Sequence, residues 1–180
     1  MRRRPLVKLL GGAAVATSLS AEDADRLRAF ERERHDKLAL TYQDFFSPVT
    51  ALATARLLDA AQVRPGATLL DVATGPGGLA VEATRLGIIC TGVDLSPGMI
   101  QLAKKSNPGI AFRVADVEDL PFADASFDAV VCNFGLGHFP WPETSVAESV
   151  RVLKPIRGCQ KICKLRDLVV LRRVPPLLSR

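Results

Sequence analysis

Residues 68–78 read Thr68-Leu69-Leu70-Asp71-Val72-Ala73-Thr74-Gly75-Pro76-Gly77-Gly78. An apolar run of strand length stops at a cluster of glycine and proline, and a helical pattern follows from about Gly78 to Arg85. Short apolar runs bounded by turn residues read as buried strands. A glycine-rich turn between a strand and a helix brings main-chain amides close to a ligand. The competing reading is an ordinary tight turn, since glycine-rich motifs alone are weak.

The same alternation continues outward. Ile88–Asp94 is a second strand, with a helix after Ser96-Pro97 ending near Lys105. Asn107-Pro108-Gly109 is a turn, Ala111–Ala115 a third strand and Phe127–Cys132 a fourth. Pro142–Leu153 is a helix, stopped by Lys154-Pro155. Upstream, Ser20 with an acid three residues later predicts a capped helix reaching about Leu40. Ser47-Pro48 starts another, with Leu52, Ala55, Leu58 and Ala61 on one face. Strands that are apolar on both faces, alternating with helices, predict an α/β fold: a doubly wound parallel sheet covered on both sides. The expected organisation is a disordered or targeting-like start over 1–20, a helical cap over 21–64, a core over 65–155 and a basic tail over 156–180.

In such a sheet a ligand lies beyond the strand C-termini. Asp94, at the end of the second strand, falls 19 residues after Gly75. A carboxylate there accepts two hydrogen bonds from a ribose diol, which suits any adenosine ligand. Asp116 ends the third strand, placed to accept from an adenine amino group. Asp116, Glu118 and Asp119 lie within four residues with no basic neighbour in the chain. A pyrophosphate favours amides and bases, so this acidity, with Asp71, favours a cationic ligand without phosphate. That favours S-adenosylmethionine (SAM) over NAD, with an NAD-dependent oxidoreductase as the alternative of another class.

The segments LLDVATGPGGLA, TGVDLSPGMIQLAKK, FRVADVEDLPFADASFDAVVCNFGLGHF and ESVRVLKP, in this order, resemble the SAM-binding core of class I methyltransferases. The resemblance is nearest to the ubiquinone/menaquinone C-methyltransferase type and covers about half the chain. It implies a Rossmann-like fold, SAM as cofactor and a small-molecule methyl acceptor. It implies that Asp71 to Gly77 (Asp71, Ala73, Thr74, Gly75, Pro76, Gly77) cradle the methionine end of SAM, with Ala73 where many relatives have glycine. It implies that Asp94 holds the ribose, that Leu95 and Met99 pack near the ribose or adenine, and that Asp116 and the Val117 amide read the adenine. Asn133 would face the methionine part. Tyr42 is similar to a tyrosine that closes over SAM in the family; the other reading is a helix-packing tyrosine. His138 is the candidate general base, against a loop histidine bonded to main chain. Phe134, Phe139 and Trp141 form either an apolar wall for the acceptor or core.

The family pattern fades after Arg151-Val152-Leu153-Lys154-Pro155, before the last strands of the expected 3-2-1-4-5-7-6 order. Leu165–Val174 predicts one strand or a short helix, which leaves the fourth strand an apolar edge prone to pairing with another chain. The expectation is a truncated or frameshifted form, with a catalytically impaired relative as the alternative to an active enzyme.

The bulk numbers narrow the rest. The net charge is +5, but nine of the 24 Lys and Arg fall in residues 151–180 against Asp167 alone. That tail has no aromatic residue, so a nucleic-acid partner is not expected. No apolar run is long enough to span a membrane. Cys90 and Cys132 sit in predicted buried strands, and Cys159 and Cys163 lack metal-site spacing, so neither zinc nor disulfides are expected. Arg2-Arg3-Arg4 before an apolar stretch reads as a disordered or misassigned start, a transit peptide or an export signal. Because SAM is made inside cells, the expected location is cytoplasmic, with an organelle as alternative.

Overall fold

The computed structural model describes residues 19–155, 160–165 and 168–173. The leader reading of 1–20 falls outside them, apart from Leu19 and Ser20. In chain order the elements are α1 (Ala21–Phe45), α2 (Ser47–Ala61), β1 (Thr68–Val72), α3 (Gly78–Arg85), β2 (Ile89–Asp94), α4 (Pro97–Ser106), β3 (Ala111–Val114), β4 (Ala129–Asn133), a 3₁₀ turn (Leu136–His138), α5 (Pro142–Val152), β5 (Gln160–Leu165) and β6 (Leu168–Arg173).

The sheet order is β3-β2-β1-β4-β6-β5. β1 to β4 are parallel, as the sequence predicts. The expectation of an exposed fourth strand is corrected: β6 pairs antiparallel with β4 from Ala129↔Arg172 to Asn133↔Leu168. The tail is neither one strand nor a helix but a hairpin, with β5 on the far side of β6. Its backbone satisfies the donors and acceptors that β4 would otherwise leave open.

Adjacent residues of β1 serve opposite faces. Leu69 belongs to a core layer with Leu57, Leu79, Ile100 and Val131. Leu70 and Val72 belong to the other, with Val93, Val130, Phe127 and Val152. This two-sided burial is why the strands carry no apolar/polar alternation.

α1 starts as expected, with the Asp23 amide donating to Ser20 Oγ at 3.1 Å. It runs on past Leu40 to Phe45. On α2 the buried face is corrected to Ala53, Thr54, Leu57, Leu58 and Ala61. Leu52 is 80% exposed, because the helix turns the neighbouring stripe to the sheet.

Candidate functional site

The three acids predicted at the strand ends are there, but their surroundings differ. Asp94 is gripped by main chain: the Gly75 amide donates to Oδ2 and the Ser96 amide to Oδ1, both at 2.9 Å. Burial pushes the Asp94 carboxyl up, and Asp36 adds to this; the two amides and His35 oppose it. Ser96 also caps α4 by accepting from the Met99 amide at 3.0 Å. The turn after β1 thus spends its amides inside the protein. Thr74 donates to the Val93 carbonyl at 2.9 Å, and Gly77 to the Thr74 carbonyl at 3.0 Å. The expectation that these amides are offered to a ligand is corrected for Thr74, Gly75 and Gly77.

Asp71 is 1% exposed and lies beneath that turn. Thr74 Oγ1 donates to its Oδ2 at 2.6 Å. Burial raises its carboxyl to about 7, with Asp94 adding to the rise and Thr74 and the Ala80 amide opposing it.

Asp116 is not the unpartnered acid that the local sequence suggests. Arg28 of α1 places Nε 3.0 Å from its Oδ2 and also pairs with Glu118. The Glu118 amide donates to Asp116 Oδ1 at 2.9 Å. The same guanidinium lies 4.8 Å over the Trp141 ring. Trp141 therefore packs on Arg28, while Phe134 and Phe139 reach the cavity wall.

A cavity of about 570 Å³ opens beyond the strand ends, of a size that suits a small ligand. Its floor holds Ala73, Gly75, Asp94, Leu95, Met99, Asp116, Val117 and Asn133. α1 roofs it with Arg28, Glu31, His35 and Tyr42, and His138 closes one side. A second cavity of about 560 Å³ adjoins it, lined by Asp71, Thr74 and Pro76. Tyr42, Ala73, Gly75 and Asn133 border both. Gly77 borders neither. Its φ is +89°, and a Cβ there would lie 2.7 Å from Phe112 Cζ, so it serves packing under the turn.

Asn133 ends β4 with Nδ2 donating to the Thr50 carbonyl at 3.1 Å. Its Oδ1 is buried and takes no hydrogen bond. A buried acceptor left open at a cavity wall fits a ligand with a donor, such as an ammonium. Tyr42 stacks on Phe46 at 5.1 Å, half-buried over Gly75. Burial, then Asp94, push its phenol up, against Arg34. The composition of the floor fits SAM, a cation without phosphate: the carboxylates Asp94 and Asp116 line it together with the apolar Val72, Val93, Met99 and Val117.

One cluster has no counterpart in the sequence reading. Glu31 Oε2 lies 3.2 Å from His138 Nδ1 and 3.4 Å from His35 Nδ1. The two imidazoles meet edge to face at 5.3 Å. Glu31 and His35 are four apart on α1, a spacing that puts both on one helix face and was the only available signal.

The methyltransferase domain family model matches residues 70–156. The demethylmenaquinone methyltransferase of Chlorobaculum parvum is 37% identical over 145 residues, covering 75% of this chain and 59% of the relative. The demethylmenaquinone methyltransferase of Renibacterium salmoninarum is 40% identical over 99 residues, covering 55% and 42%. Among solved structures, a chain of the complex between the Haloferax volcanii Trm112 methyltransferase activator and a methyltransferase is 32% identical. It has a TM-score of 0.58 and covers 67% of this chain and 56% of that one. The chain spans about half the length of the curated relatives it matches. With the parallel sheet, the crevice at its strand ends and these matches in place, residues 70–156 carry a methyltransferase domain of the class I SAM-dependent kind.

Proposed function

We propose that this chain binds SAM in the crevice and transfers its methyl group to a small hydroxyaromatic acceptor of the quinol type, in the cytoplasm. The observation that carries this reading is Asp94, fixed by two main-chain amides at the rim of the cavity, in line with Asp116 and the open Oδ1 of Asn133. SAM supplies an electrophilic methyl carbon on a sulfonium, and loss of a neutral thioether needs little assistance.

The work left to the protein is alignment, which lowers a barrier by about 7–11 kcal/mol at best. Asp94 holds the ribose diol, and Leu95 and Met99 flank it. Asp116 and the Val117 amide read the adenine, with Arg28 holding Asp116 in place. Asn133 Oδ1 and the wall from Ala73 to Pro76 take the methionine end. Asp71 acts beneath this wall through Thr74, and Tyr42 closes the roof. The helices of 21–64 form a cap on the core of 65–155. Phe134 and Phe139 give the acceptor an apolar face. The quinol class is favoured by the names of the relatives and by these two aromatics.

Calorimetry with SAM and its demethylated product tests the reading. Wild-type chain binds both, and Asp94→Ala loses about 30-fold or more in affinity, the scale of hydrogen bonds to a charged group, with the circular dichroism spectrum kept. Unchanged binding in Asp94→Ala would refute the ribose assignment. No binding by the wild type would favour the catalytically impaired relative.

A further inference from the structure

We propose that Glu31 and His138 form a proton-accepting pair: the Glu31 carboxylate fixes the His138 tautomer so that Nε2 takes the proton of the acceptor hydroxyl. The inference rests on the methyl-transfer reading of the crevice.

Its basis is the side of the ring that meets the carboxylate. A carboxylate only accepts, so the imidazole nitrogen facing it carries the hydrogen. Here that nitrogen is Nδ1 of His138, 3.2 Å from Glu31 Oε2. Nε2 is then left with its lone pair. The His138 side chain is 40% exposed, whereas that of Glu31 is 12% exposed. The carboxylate is thus the more buried of the two, and both groups line the cavity, with Asn133, Phe134 and Gly135 also in its wall. Glu31 Oε2 has no aligned hydrogen-bond partner, His138 included, so the 3.2 Å approach is a close contact and the oxygen's lone pairs are open to the Nδ1 hydrogen.

The charged groups around the pair are Arg34, 3.6 Å from the same oxygen, His35 on the next turn of α1, and Asp94 across the cavity, which feels His35. His35 has its own partner: Nδ1 lies 2.8 Å from the Glu31 carbonyl oxygen, so it donates there. This argues against a metal ion, although ligand atoms of Glu31, His35 and His138 lie within 4.8 Å of one another. A cation beside Glu31 Oε2 would meet the Nδ1–H of His35 in place of a lone pair.

The step balances simply. The acceptor's O–H bond breaks and its proton passes to His138 Nε2. The released electron pair, delocalised to a ring carbon, forms the bond to the methyl carbon, and the sulfur–methyl pair stays on sulfur. The ring C–H proton then leaves to water, its electron pair restores aromaticity, and the oxygen takes back the proton from His138 Nε2, so that one proton is released overall.

Nitrogen-15 NMR of histidine-labelled chain, at a pH where the imidazoles are neutral, reads the tautomer directly. Wild type is expected to show His138 with hydrogen on Nδ1. Glu31→Leu is expected to lose that preference, and Glu31→Gln, which restores an acceptor without charge, to recover it. Methylation of a short-chain 1,4-naphthohydroquinone should fall about 10²–10⁴-fold in His138→Gln, and about tenfold or more in Glu31→Leu with partial rescue in Glu31→Gln. SAM affinity by calorimetry should stay within about threefold in all three variants. Hydrogen on Nε2 in the wild type, or the same tautomer in Glu31→Leu, overturns the proposal. So does stoichiometric Zn²⁺ binding that needs Glu31, His35 and His138 together. Failure of the wild type to bind SAM is a different result, and it sinks the methyl-transfer reading itself.

Discussion

Asp71 carries a cost set by its position. Its carboxyl is almost fully buried and raised to about 7, with burial as the main cause. An unfolded aspartate titrates near 3.9. Between these values folded Asp71 holds its proton more tightly than the unfolded residue does, so its contribution to stability is fully present below about pH 4 and is lost as pH rises to about 7. The span corresponds to about 4 kcal/mol. Asp71→Asn keeps an acceptor for Thr74 Oγ1 and removes the charge. Its expected outcome is a raised Tm at pH 8 and a flatter Tm between pH 4 and 7, read by thermal unfolding across that range. Equal slopes in the two proteins would show that another group sets the pH dependence. Gly77 is the second residue-level test. At φ +89° with Phe112 in contact, Gly77→Ala should cost about 2 kcal/mol or more in denaturant unfolding, from backbone strain and the clash together.

At the level of elements, α1 makes the site. It is pinned at two points far apart in sequence. Arg28 holds Asp116 and Glu118. Asp36 Oδ1 accepts from Ser96 Oγ at 2.5 Å and from the Gly98 amide at 2.8 Å, reinforcing the N-terminus of α4. Asp36→Ala should loosen the second point by about 1–2 kcal/mol, seen as roughly tenfold faster hydrogen exchange in α1 with β1 and β2 unchanged. Loss of protection throughout the sheet would mean that the helix and core unfold together. These pins also mark where the sequence stops being legible. Asp94, its spacing from Gly75 and the Ser96 cap could be read because turn and cap chemistry is local. Arg28 and Glu31 could not, because a charged residue on an amphipathic helix carries no mark of its partner. The acidic run 116–119 looked free of cations for that reason, although its counterion lies 88 residues upstream.

The whole molecule raises the question of how β4, apolar on both faces, is kept from pairing with another chain. Its entry is anchored by the segment that follows α5: Lys154 Nζ reaches Asp128, the residue before β4, at 2.8 Å, and Asp128 accepts from the Thr68 amide at 2.8 Å. The edge itself is closed by β6, whose pairing runs the full length of β4. The four parallel strands were readable as continuous apolar runs. The hairpin was not, because Gln160–Leu165 and Leu168–Arg173 mix basic and apolar residues and are separated by Arg166 and Asp167, which give no strong turn signal. Proline has no N–H, and β6 is paired on both sides. Val170→Pro therefore breaks a ladder bond to β4 or β5 wherever that N–H points. With β4 uncovered, sedimentation velocity should show association that grows with concentration. A variant that stays monomeric and as stable as the wild type would mean that something other than β6 protects the edge of β4.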